Sequence, residues 1–153
     1  MKKSIVFLIL IALLGICLTG CGKPKTAITP EQFVSITEAK GFILVDKTEI
    51  ADGQADAIWV AVSPKKTFQI EFFDLLSEKQ AKAAYAENVA TFESMKGSAS
   101  TTSSAEIKNY SIKTVVSNGL YMYECRVDDT IIYVVSDSAY KGEIEEIIAE
   151  LGY

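Results

Sequence analysis

Apolar and polar residues alternate in three ways along this chain, and each predicts a different element. Residues 5–18 are almost wholly apolar after a basic start at Lys2 and Lys3. That run is too short for a permanent membrane span and has the order of a secretory signal. Helical spacing follows. Thr29-Pro30-Glu31-Gln32 combines a capping threonine, a proline at the first helical position and a glutamine three residues after the cap. Phe33, Ile36 and Thr37 give that helix its inward side, and Gly41 after Lys40 ends it.

Strand signals come next. Phe42 to Val45, Ile58 to Val62 and Thr67 to Phe73 are predicted strands, the last two joined by the turn Ser63-Pro64-Lys65-Lys66. Phe68, Ile70 and Phe72 alternate with Gln69 and Glu71, as in a sheet with one wet face. Ser77-Glu78-Lys79-Gln80 is a second capping box. It opens the longest helix, to about Lys96, with Ala81, Ala84, Tyr85, Val89 (or Asn88) and Phe92 on one stripe. Gly97 to Ser104 has low complexity and predicts a flexible loop. Three more strands, Ile107 to Val116, Leu120 to Val127 and Thr130 to Ser136, are separated by the turn signals Asn118-Gly119 and Asp128-Asp129. A last helix from about Ala139 to Leu151 carries Ile144, Ile147, Ile148 and Leu151 at i, i+3, i+4 and i+7.

The pattern therefore predicts an α+β domain over residues 29–153. It consists of an antiparallel sheet of about six strands, with helices on one face, in the order α-βββα-βββα. The shared rhythm of the two halves suggests a structural duplication, although no residue identity supports it. Tyr121, Tyr123, Cys125 and Val127 form one side of their strand and Glu124 and Arg126 the other, expected to be the polar face.

The apolar run ends in Leu18-Thr19-Gly20-Cys21. These four residues resemble the lipobox of bacterial lipoproteins, Leu-(Ala/Ser/Thr)-(Gly/Ala)-Cys, and the resemblance covers the first 21 residues. It implies that Leu18, Thr19 and Gly20 are the signal-peptidase recognition residues and that cleavage falls before Cys21. It also implies that Cys21 carries diacylglycerol. Two acyl chains hold a protein stably on a bilayer, each buried methylene contributing about 0.8 kcal/mol. Residues 1–20 would then be the signal peptide and 21–28 the lipidated cysteine with a short tether, spanning at most about 25 Å at roughly 3.5 Å per residue. Lys23 and Lys25 could attract anionic headgroups. The whole looks like one of the small lipoproteins common in Gram-positive bacteria, lipid-anchored at the extracytoplasmic face of the cell membrane.

Charge and residue types narrow the chemistry. Without residues 1–20 the chain is 133 residues long, and 13 basic against 20 acidic residues give a net charge of −7. An acidic domain is a poor match for nucleic acid, where affinity rests on neutralising phosphates. There is no histidine, which removes the commonest general base and metal ligand. No metal site and no cofactor are expected. Asp52-Gly53-Gln54-Ala55-Asp56 departs from the EF-hand pattern, and neither Ser63-Pro64-Lys65-Lys66 nor Ser138-Ala139-Tyr140-Lys141 has the partner motifs of a serine–lysine enzyme. Cys125, the one cysteine beyond the lipidated position, is expected to be a buried, inert thiol.

Two residues stand out as candidates to face a ligand. Arg126 is the only arginine. An ion pair with Glu124 or with Glu71 across the sheet accounts for it, and fixing an anion on an open sheet face is the alternative. Trp59, the only tryptophan, could line a pocket with nearby tyrosines or simply pack in the core. The expected function is a non-catalytic binding or accessory module for an envelope protein, peptide or polymer. A carboxylate-dependent hydrolase acting on an envelope polymer and a structural role in envelope assembly are the alternatives.

Overall fold

The computed structural model describes residues 23–153. Leu18, Thr19, Gly20 and Cys21, and the rest of the expected signal peptide, lie outside the described residues. Helix α1 (Pro30–Ala39) starts with the capping box expected of its sequence: Gln32 N–H donates to Thr29 Oγ1, and Thr29 N–H to Gln32 Oε1. Strands β1 (Ile43–Asp46), β2 (Ala55–Val62) and β3 (Gln69–Leu75) follow, with a 3-10 turn at Thr48–Ala51 between the first two. Helix α2 (Glu78–Met95) leads to β4 (Ser100–Ile107), β5 (Tyr110–Ser117), β6 (Leu120–Val127) and β7 (Thr130–Asp137). A 3-10 turn at Ser138–Tyr140 then feeds α3 (Lys141–Glu150).

All seven strands form one antiparallel sheet in the order β1-β2-β3-β7-β6-β5-β4. It is two meanders joined at their last strands, β3 and β7. One strand more than expected is present because Ser100–Ile107 is not a loop. Its eight residues pair without a break against Ser117–Tyr110. A strand at a sheet edge needs only backbone pairing and tolerant side chains, and serine and threonine provide these without a hydrophobic alternation.

Helices cover both faces of the sheet, not one. Strand registers place Ala61, Ile70, Phe72, Ile132, Val134, Tyr123 and Cys125 on a first face. There Phe33 of α1 and Ile144, Ile147 and Ile148 of α3 complete one apolar cluster, with the Phe33 and Phe72 rings stacked at 5.0 Å. The second face carries Val115, Met122, Tyr133 and Val135, which pack with Phe92 and Met95 of α2. The same face holds Ser111, Lys113, Glu124 and Arg126, all buried.

The two-faced cover also weakens the case for duplication. Neighbouring antiparallel strands such as β3 and β7 are exchanged by a two-fold axis perpendicular to the sheet, which keeps each face where it was. A repeated unit would place both trailing helices on the same face. Here α2 and α3 lie on opposite ones, and the second meander has four strands to the first one's three.

The domain also begins before Thr29. Lys25 N–H donates to Asn109 Oδ1, and Asn109 Nδ2 donates back to the Lys25 carbonyl. Ala27 and Ile28 pack against the first-face core. The Lys25 ammonium donates to the carbonyl of Gly152 and lies 5.5 Å from the centre of the Tyr110 ring, so the fold already engages it. Among the described residues no helix is long and apolar enough to cross a membrane.

Candidate functional site

Trp59 and Arg126 do not share a site. Trp59 stands opposite Phe72 in the register and so belongs to the first face, while Arg126 stands opposite Ser111 and Ile131 on the second. The sheet separates them.

Trp59 lies between Asp46 of β1 and Phe72 of β3, where α1 packs on the sheet. Its ring packs partly against the core and partly walls an open cleft of about 260 Å³. The other wall is one face of α1: Pro30, Glu31, Val34, Ser35 and Glu38. Positions 31, 34, 35 and 38 are spaced i, i+3, i+4, i+7, so they share a helix face beside the buried Phe33–Thr37 stripe. That spacing is legible in the sequence, but nothing there says that Trp59 would face it. The cleft offers an indole, an aliphatic surface, a hydroxyl and two carboxylates. A hydrogen bond from the Thr29 hydroxyl holds the Glu31 carboxyl below its ordinary value, so it is ionised at neutral pH.

Arg126 has the opposite character. It is 1 % exposed, and its Nη1 donates to the carbonyls of Asp128 (2.9 Å) and Asn109 (3.3 Å). Nη2 donates to Ser111 Oγ at 3.3 Å. The guanidinium therefore ties the β4–β5 turn to the β6–β7 turn. Its acidic neighbour is neither Glu124 nor Glu71 but Glu78 of α2, 3.6 Å from Nη1. Glu71 instead accepts from Gln69 Nε2 and stands opposite Tyr133 in the register. An opening of about 410 Å³ lies over this region, walled by Lys82, Tyr85, Ala86 and Val89 of α2, Glu106 of β4, and Ser111 and Arg126 themselves. The guanidinium is almost entirely withdrawn from solvent below it. Arg126 thus ties two turns together while its buried guanidinium borders that opening.

Glu124, two residues away on the same face, is wholly buried. Loss of water pushes its carboxyl up to about 8 despite a hydrogen bond from Asn88 Nδ2 at 2.9 Å, so at neutral pH it is mostly an uncharged acid. Lys113, beside it on β5, pairs with Glu93 at the edge of α2, 2.6 Å away. A second lysine, Lys96, lies 2.7 Å from the same carboxylate, and the hydrogen bonds from the two lysines hold it at about 2. Lys113, Glu124 and Arg126 are each met by a side chain of α2, and Ser111 by Arg126. Glu124 Oε2 and Arg126 Nε have no hydrogen-bond partner among the described residues. The pattern that suggested a wet face is a polar seam under a helix.

Cys125 is buried on the first face, and loss of water pushes its thiol up to about 11, as expected of an inert cysteine. Among the described residues no cluster of three or more acidic or cysteine side chains is arranged to hold a metal ion. Comparisons of the chain with protein-family models, with curated proteins and with solved structures give no match.

Proposed function

We propose that this chain is an extracytoplasmic lipoprotein, held on the cell membrane through diacylglycerol on Cys21. Its domain serves as a non-catalytic binding module for an envelope protein, peptide or polymer. The observation that carries the binding role is the cleft between Trp59 and α1, where an indole face lies opposite an ionised carboxylate at Glu31. An aromatic wall in a cleft that two carboxylates also line favours a segment that presents a cation or hydroxyls on an apolar body. The motif Leu18 to Cys21 carries the anchoring.

The hydrolase alternative needs a protonated carboxyl beside an ionised one in a single open cleft. Glu31 is held ionised, and Glu124, the carboxyl with a raised value near neutrality, is sealed beneath α2 on the other face. The geometry therefore favours binding over hydrolysis.

Trp59 is its own reporter. Titration with a short lysine-containing peptide, and separately with a glycan oligomer, is expected to shift its fluorescence saturably with one of them. Glu31→Gln with Glu38→Gln should weaken the peptide response. The binding role at this cleft fails if neither probe shifts the emission. For the anchor, blocking lipoprotein signal peptidase with globomycin should accumulate the unprocessed chain, and Cys21→Ala should abolish lipid labelling. A variant still labelled would refute lipidation at Cys21.

A further inference from the structure

One end of the sheet gathers the 3-10 turn Thr48–Ala51, the β3–α2 corner and the β4–β5 and β6–β7 turns. Backbone bonds join these corners: Leu75 N–H donates to the Asp129 carbonyl, Asp128 N–H to the Asn109 carbonyl, and Lys47 N–H to the Ile58 carbonyl. Residue 25 is fastened to the same end, through Asn109 and Gly152. The chain toward Cys21 therefore leaves the domain here.

Four residue-to-residue steps lead from Lys25 to Cys21, a reach of at most about 14 Å. Strands of eight residues put the opposite turns about 26 Å farther away. If Cys21 holds the bilayer, the β4–β5 corner of this end cannot retreat from it. The rest of the end, about 17 Å away at the β3–α2 corner and about 24 Å at the Thr48–Ala51 turn, meets the bilayer when the strands stand upright on it. Three large apolar side chains are prominently exposed on the domain, and two of them lie at this end: Ile50, 74 % exposed, and Leu76, 49 % exposed. The third, Ile43, starts β1 at the opposite end, paired with Val62.

We propose that this end of the sheet is a lipid-contact surface, with Ile50 and Leu76 seated in the headgroup layer of the membrane that carries the anchor. The inference rests on the lipidation of Cys21 proposed above. Asp52, Asp56, Asp74, Asp128 and Asp129 outnumber Lys25, Lys47 and Lys108 at the same end, which is acidic on balance, and loss of water together with the charges of Asp129 and Asp56 raises the Asp74 carboxyl. Attraction to anionic lipid therefore does not drive the contact. Its chemistry is apolar, and it fits a zwitterionic headgroup layer better than an anionic one. The tether supplies the local concentration that two aliphatic side chains alone would not.

The test couples the chain beginning at Cys21 to maleimide-headed phospholipid in phosphatidylcholine vesicles that also contain a doxyl-labelled lipid. Cys125 is buried and does not compete for the coupling. Amide signals of Ile50, Leu76 and Asp129 are expected to lose several-fold more intensity than those of Lys65 and Asn118 at the far end. Ile50→Ser with Leu76→Ser, both at exposed positions, should cut that near-end loss by about half while leaving the rest of the spectrum in place. Equal broadening at both ends, or a near-end loss unchanged in the double variant, would overturn the proposal. A stronger contact on phosphatidylglycerol vesicles would also overturn it, by assigning the contact to charge. Because the coupling is chemical, failure here leaves the lipidation of Cys21 to its own labelling test.

Discussion

The two faces of the sheet are built on different principles. Under α1 and α3 the contact is dry: Phe33 stacks on Phe72, and Ile144, Ile147 and Ile148 close over Tyr121, Tyr123 and Val134. Under α2 an apolar patch at Phe92, Met122 and Val115 gives way to a seam of Lys113, Glu124 and Arg126, each met by a polar partner. The first face gains stability from area removed from water. The second gains less, because every buried polar group must recover the hydrogen bonds it gave up. Burial alone does not distinguish them, since Glu124 is as inaccessible as Phe72. What differs is how each face responds to substitution and to pH.

The largest expected effect is on the dry face. Phe72→Ala removes a wholly buried ring that nothing can collapse to replace, and should cost about 3–5 kcal/mol in urea denaturation. A loss no larger than that of an exposed substitution would mean that α1 is not packed there as described.

Glu124 makes the second face pH-dependent. Its carboxyl has an ordinary value of 4.5 in the unfolded chain and about 8 in the folded one. Below 4.5 both states keep the proton. Between 4.5 and 8 only the unfolded chain releases it, so this residue's contribution to stability falls as pH rises and levels off above about 8. The total is on the order of a few kcal/mol. Glu124→Gln, which mimics the uncharged acid, should flatten that part of the stability–pH curve. An unchanged slope would place its origin elsewhere.

Arg126→Gln should cost about 1–3 kcal/mol, because the Asp128 carbonyl loses the guanidinium as donor and the Asn109 carbonyl keeps only the Asp128 N–H. Amide exchange should then quicken at the β4–β5 and β6–β7 turns and spare the core of α3. Exchange that quickened evenly across the sheet would argue against a strut between those two turns. The smallest effect belongs to the exposed pair Lys141–Glu145, 2.6 Å apart on α3. Glu145→Ala should change stability by about 0.5 kcal/mol or less and respond to salt; a larger, salt-insensitive loss would show that α3 depends on more than its isoleucines.

The same contrast explains which parts of the fold were legible in the sequence. α1 and α3 were readable because their caps and apolar spacing are local signals, and β2, β3 and β5 to β7 because aliphatic and aromatic runs alternate with turns. β4 was not, since Ser100 to Ser104 has no apolar alternation and becomes a strand only by pairing with β5. The sequence pattern points to helices on one face because Glu124 and Arg126 alternate with apolar neighbours as solvent-facing residues do. A buried polar residue with a satisfied partner looks, in sequence, like a wet one. Of the two candidate residues, Trp59 does line an open cleft, and its helical wall was spaced on one face of α1. Arg126 stands out in the sequence by its rarity, but its role depends on carbonyls of two turns that only folding brings to it.

Elements, caps, net charge, the absence of histidine and the motif ending at Cys21 are properties of neighbouring residues, and the sequence by itself determined them. The tertiary structure decided the edge strand, the cover on both faces, the separation of Trp59 from Arg126 and the end of the sheet from which the chain leaves. Those depend on pairings between residues far apart in the chain, where the free energy of burying a group is set by its partner and not by its own type.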